Sequence, residues 1–107
     1  MSTAPKSEIL NLAELVSYQT GSIVSRQITK TGGGNVTLFA FDKDQELSEH
    51  TAPFDALVHI VEGEAEIIIS GQSFHLKFGE AIIMPANDPH AVKAIGQFKM
   101  LLTMIRA

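Results

Sequence analysis

Two histidines, His50 and His90, stand beside apolar, β-rich runs that turn at glycines. One lies in residues 50–63 (HTAPFDALVHIVEG), the other in residues 79–90 (GEAIIMPANDPH). An imidazole can ligate a metal, move a proton near neutral pH, or hydrogen-bond a ligand. If both segments are strands of one barrel, the two rings meet inside it although they are far apart in sequence. That arrangement makes a small cavity with imidazoles at its mouth.

Other chemistry is thinner. The chain has no cysteine, which removes disulfides, thiolate nucleophiles and cysteine-bound metal. No Gly-x-Ser-x-Gly is present, and Gly32-Gly33-Gly34 is followed by neither the lysine nor the helix of a phosphate loop. Asp55 can serve the cavity as acceptor or base, or sit in a turn and hold backbone amides; the second is the plainer reading. Glu64 and Glu66 oppose Ala65, Ile67 and Ile69 and read as solvent-facing charges. His75 alternates with Phe74 and Leu76 and reads as solvated, and Arg26 as a partner for a surface carboxylate. Met84, Met100 and Met104 line a pliable apolar pocket or simply pack a core, and Phe39, Phe41 and Phe54 share that ambiguity.

The elements that must position these residues are almost entirely strands. Residues 22–29, 35–41, 57–70 broken at Gly63, 73–78, 81–85, 91–94 and 98–105 read as β, separated by turn signals such as Thr31–Gly34, Gly71-Gln72 and Asn87-Asp88-Pro89. Residues 42–49 read as a polar loop. Residues 9–16 suggest one or two helical turns that need a surface to pack on. Residues 1–8 read as a loose tail and 9–107 as one barrel domain.

With 107 residues, 45% of them hydrophobic and 19% charged, the chain is sized for one globular core. A net charge of −4 argues against nucleic acid or an anionic membrane as partner. No apolar run is long enough to span a bilayer, and the first residues lack the apolar core of a signal peptide, so the expected location is cytoplasmic.

The two histidine segments resemble the two motifs of the cupin family, and the likeness runs from about Asn35 to Ile105. In the first motif His50 matches the leading histidine and Gly63 the closing glycine. In the second, Gly79, Pro85 and His90 fall in place, and Asn87 replaces a glycine that asparagine can mimic because it tolerates positive φ. Asp44 stands for the opening glycine, Ala52 for the second histidine, Leu57 for the glutamate and Ala94 for the final asparagine, so two of the family's four metal-binding side chains are missing. The resemblance implies an all-β, double-stranded β-helix (jelly-roll) barrel with a short N-terminal helical segment, and it implies a homodimer.

Strand alternation offers a repair. Leu57, His59 and Val61 share a side, so if the family's glutamate position faces the cavity, His59 faces it too. His50, His59 and His90 would then hold a divalent transition metal (Zn, Ni, Fe, Mn or Cu), with Asp55, Leu57, Met84, Met100 and Phe39 lining the ligand pocket. Such a site suits a metal-dependent oxidoreductase or isomerase. The competing reading is a metal-free barrel that senses a small ligand or assists another protein. A third possibility puts the function on the surface, with Val58 and Ile60 as an exposed apolar stripe.

Overall fold

In the computed structural model, which describes residues 3–106, the chain forms two antiparallel sheets. The five-stranded sheet has the order β1 (Ile23–Thr31), β2 (Gly34–Phe41), β9 (Phe98–Ile105), β4 (Asp55–Glu62) and β7 (Ala81–Met84). The four-stranded sheet has the order β3 (Glu46–His50), β8 (His90–Lys93), β5 (Glu64–Ile69) and β6 (Gln72–Lys77). Almost every strand expected from the sequence is present within a residue or two of its expected ends.

β3 is the exception, since 42–49 reads as loop. It is an edge strand paired only with β8, interrupted by a bulge between Leu47 and His50, and mostly exposed. A strand with so little to bury has no alternating apolar signature to detect.

The sheets close over one core. Ala56, Val58 and Ile60 of β4 meet Ala65 and Ile67 of β5, Leu76 of β6 and Val92 of β8. Phe41 and Phe98 stack within it, with centroids 4.5 Å apart. Stacking of this kind adds about 0.5–1.5 kcal/mol to the area buried. The expected surface stripe of Val58 and Ile60 is therefore wrong: both are fully buried.

A second apolar cluster covers the outer side of the five-stranded sheet. Leu38 and Ala40 of β2 and Ile28 of β1 pack there against Ala4 and Val16, with Leu10, Leu12, Leu15 and Tyr18 around them. Residues 4–18 thus strap the outside of the barrel, which explains why β2 reads as apolar on both faces. The strap has almost no helix. Its regular structure is a 3-10 turn, Leu12–Glu14, without a side-chain cap. A segment that short gains more from packing each apolar side chain on the sheet than from closing helical hydrogen bonds.

Met1 and Ser2 of the expected tail lie outside the described residues. Ala4 is buried and donates its N–H to the Ile28 carbonyl at 2.9 Å.

Polar pins complete the strap. Lys99 is buried on the outer side and donates to the Ala13 carbonyl, 3.5 Å from Glu62 and 4.9 Å from the Tyr18 ring centroid. The Tyr18 hydroxyl donates to Glu62. Burial, then the Glu62 carboxylate, push the Tyr18 phenol well above its usual range. Arg26, expected to pair with a carboxylate, donates to the Leu15 carbonyl instead.

Candidate functional site

His50 ends β3 and His90 begins β8, and the two are register partners. Their rings meet edge to face, with centroids 4.4 Å apart and planes at 77°. The Nε2 atoms lie 3.1 Å apart. Each ring is held from behind by a backbone carbonyl: Nδ1 of His50 contacts Ser48 O at 2.8 Å, and Nδ1 of His90 contacts Asp88 O at 3.2 Å. A carbonyl only accepts, so each Nδ1 carries a proton, and the two Nε2 atoms are left to face one another. At that distance either one Nε2 carries a proton that the other accepts, or a metal cation joins two bare lone pairs.

Protonation of His90 is disfavoured. His90 is 3% exposed, and its pKa is lowered first by burial and then by the charge of His50, with the Asp88 carbonyl opposing both.

The loop that delivers His90 is clamped. Asp55 accepts the Ala86 N–H at 2.9 Å, the Asn87 N–H reaches the Ala52 carbonyl at 2.8 Å, and the Ser70 N–H reaches the Pro89 carbonyl at 2.8 Å. Asn87 has φ of 68°, in the left-handed region that its glycine-like position requires. Asp55 therefore acts as the turn residue holding a backbone amide, one side of the choice left open by the sequence.

His59 does not join the pair. It is partnered in the sheet by Ala81 and Leu101, between the fully buried Val58 and Ile60, and so faces outward. There it lines a groove with Leu10, Leu12, Val61 and Phe78. Alternation put Leu57, His59 and Val61 on one face correctly, but that face is the outer one. Leu57 is 38% exposed, and the inward residue beside it is Ala56. Counted from the barrel interior, the position that would carry a carboxylate is thus Ala56, and its methyl group offers no ligand.

Met84 and Met100 point inward but are packed into the core, and Phe39 tilts against Phe41 with centroids 6.2 Å apart. They are part of the packed core. His75 is exposed and meets Glu64 at 2.8 Å across the β5–β6 hairpin. Among the described residues, no group of three or more His, Cys, Asp or Glu side chains is placed to hold a metal ion.

Residues 37–106 match the family model described as the cupin domain. The chain is a cupin. Its fold is shared with a conserved protein of unknown function from Streptococcus pyogenes, at 34% identity over 100% of this chain and 96% of that one, with a TM-score of 0.91. A cupin 2 conserved barrel domain protein from Leptotrichia buccalis is 42% identical over 91% of this chain and 47% of that one, with a TM-score of 0.88. An uncharacterized protein of Aquifex aeolicus is 26% identical over 94% of this chain and 84% of its own.

Within this cupin, the glycine that closes the first motif has a steric role. Gly63 sits at φ of 76° between β4 and β5, and a Cβ there would fall 2.5 Å from the Gln97 carbonyl oxygen. No helix among the described residues is long and apolar enough to cross a membrane.

The rim at the same barrel end as the histidine pair escapes the sequence motifs. A cavity of about 240 Å³ opens there, lined by Lys30, Asn35, Phe54, Met104 and Arg106. These residues come from three separate places in the chain, the β1–β2 hairpin, the connection before β4 and the end of β9, so no spacing announces them. The only local signal is the tight Thr31–Gly34 turn.

Proposed function

We propose that this cupin binds a small molecule at the barrel end that carries His50 and His90, through a divalent transition metal held by their two Nε2 atoms. The observation that carries this reading is the facing pair of Nε2 atoms, 3.1 Å apart, with each ring fixed by a carbonyl behind it. Two metal–nitrogen bonds of about 2.0–2.1 Å can span that separation. Backbone carbonyls on the far ring nitrogens are the usual outer support of histidine ligands.

The protein's own residues hold the rings, bury His90 and disfavour its protonation. A bound transition ion would supply Lewis acidity or redox chemistry, which suits an isomerase or an oxidoreductase. With two protein ligands in place of the family's four, the remaining coordination positions fall to solvent or the small molecule. We read the protein as cytoplasmic and as a homodimer, its second copy covering the exposed outer face of β4 and β7.

The test is metal content after purification in the presence of zinc, nickel, iron, manganese and copper. The expected result is one ion per chain in the native protein and in His59→Ala, lost in His50→Ala and in His90→Ala. Absence of any ion from the native protein, or full retention in both variants of the pair, overturns the reading. A metal-free protein stabilised by an organic ligand would support the sensing alternative.

A further inference from the structure

The cavity on the rim joins chemistry from both ends of the chain. Gly34 opens β2 so close to β9 that a Cβ on it would lie 2.2 Å from the Met104 carbonyl oxygen. The Arg106 N–H then donates to the Gly33 carbonyl at 2.9 Å, which fixes Arg106 against the turn. Its guanidinium lies 5.2 Å from the Phe54 ring centroid, and Phe54 belongs to the short connection between His50 and β4. Lys30 stands opposite Asn35 in the β1–β2 register, and Asn35 opposite Met104 in the β2–β9 register.

Strand direction puts all of this at the histidine end of the barrel. His50 ends β3, Asp55 begins β4, Met84 ends β7 and His90 begins β8, and Asp55 is the register partner of Ile105, next to Arg106.

The lining is chemically one-sided. It contains an ammonium, a guanidinium, a carboxamide and a hydroxyl over the apolar Phe54 and Met104, and no carboxylate. Neither Lys30 nor Arg106 has an ion-pair partner within 4.0 Å among the described residues. The Asn35 carboxamide oxygen takes the Thr37 hydroxyl, which leaves its NH2 group to donate elsewhere. In a chain of net charge −4, a cavity lined by two cationic residues and no acid runs against the background.

We propose that this cavity holds the carboxylate of a small organic acid, with Arg106 and Lys30 on its oxygens, Asn35 as a further donor, and its apolar body against Phe54 and Met104. A guanidinium fork matches a carboxylate in geometry as well as charge, and its stacking on an aromatic ring keeps it oriented. The proposal names the ligand class for the proposed function and rests on that reading for the choice of barrel end. It does not require the metal.

The experiment titrates EDTA-treated, full-length protein with benzoate, with its neutral counterpart benzyl alcohol and with inorganic phosphate, followed by amide NMR shifts. Benzoate is expected to saturate, to shift the 31–35 turn and residues 54 and 106, and to bind at least about tenfold more tightly than either control. Arg106→Gln and Lys30→Gln should each weaken it by about tenfold, while Lys93→Gln leaves it unchanged. Arg106→Lys, which keeps the charge but loses the fork, should fall between. Equal binding of the alcohol, tighter binding of phosphate, no saturation by benzoate, or affinity unchanged in Arg106→Gln each overturns the proposal. Loss of metal binding with benzoate binding intact counts against the metal alone.

Discussion

Asp55 accepts the backbone N–H of Ala86, 31 residues away, and so ties the start of β4 to the loop that delivers His90. The chain leaving the first histidine thus holds the chain approaching the second. Removing that acceptor should loosen His90 without touching it. Asp55→Ala is expected to cost about 0.5–1.5 kcal/mol in urea unfolding and to weaken metal binding by about 10–100-fold. Asp55→Asn keeps a carbonyl oxygen in place and should recover most of both. Unchanged metal affinity in Asp55→Ala would show that the loop is held by its other hydrogen bonds alone.

Acid should act on the pair in a definite direction. Because the folded pKa of His90 lies below its ordinary value, an unfolded imidazole takes up a proton first as pH falls. The stability that comes from keeping this ring neutral is therefore complete above the ordinary histidine range. It is lost progressively as pH falls from that range through the lowered value. Urea unfolding of the metal-free protein at pH 7.5 and at pH 5.5 (chosen about one unit either side of the ordinary histidine value) should give a smaller loss in His90→Gln than in the native chain. Metal should be released over the same range, since ligation needs neutral imidazoles. A loss in His90→Gln equal to that of the native chain would place the acid sensitivity elsewhere.

The histidine pair and the barrel were legible because glycines, a proline and alternating apolar residues sit at fixed spacing around His50 and His90. The error over His59 has a physical cause. Alternation says which residues share a face but not which face is inside, and both faces of β4 are apolar because residues 4–18 cover part of the outer one. Leu57 and Ala56 could be told apart only by the register that buries Val58 and Ile60. The cationic rim left no trace, since Lys30, Asn35, Phe54 and Arg106 converge only once the sheet has closed.

Gly63 tests whether the closing glycine of the first motif is a matter of backbone geometry. A methyl group at this position meets the Gln97 carbonyl oxygen and the Phe98 side chain while the backbone stays at positive φ. Phe98 opens β9 and Gln97 directly precedes it, so neither can yield cheaply. Gly71→Ala should cost about 1–2 kcal/mol for its positive φ alone, and Gly63→Ala that strain plus about 1–3 kcal/mol more for the steric contact. Gly71 also has positive φ but open space around it, so the pair separates steric contact from backbone strain. Thermal unfolding of the two variants side by side supplies the comparison.

The outer face of β4 and β7 predicts association. Leu57, Ile83 and Ile105 are exposed there, with Leu57 and Ile83 paired across the strands and Ile105 following in β9. Apolar rows on a sheet face beside an edge strand favour burial against a second copy, and a twofold axis lets the same row serve both partners. Native protein should sediment as a dimer at micromolar concentration, and Ile83→Asp should shift it to monomer by placing a charge on each side of the contact. The histidine pair lies at the barrel end, so the monomeric variant should keep its metal. A native chain that sediments as a monomer would assign these exposed side chains to some other contact or to none.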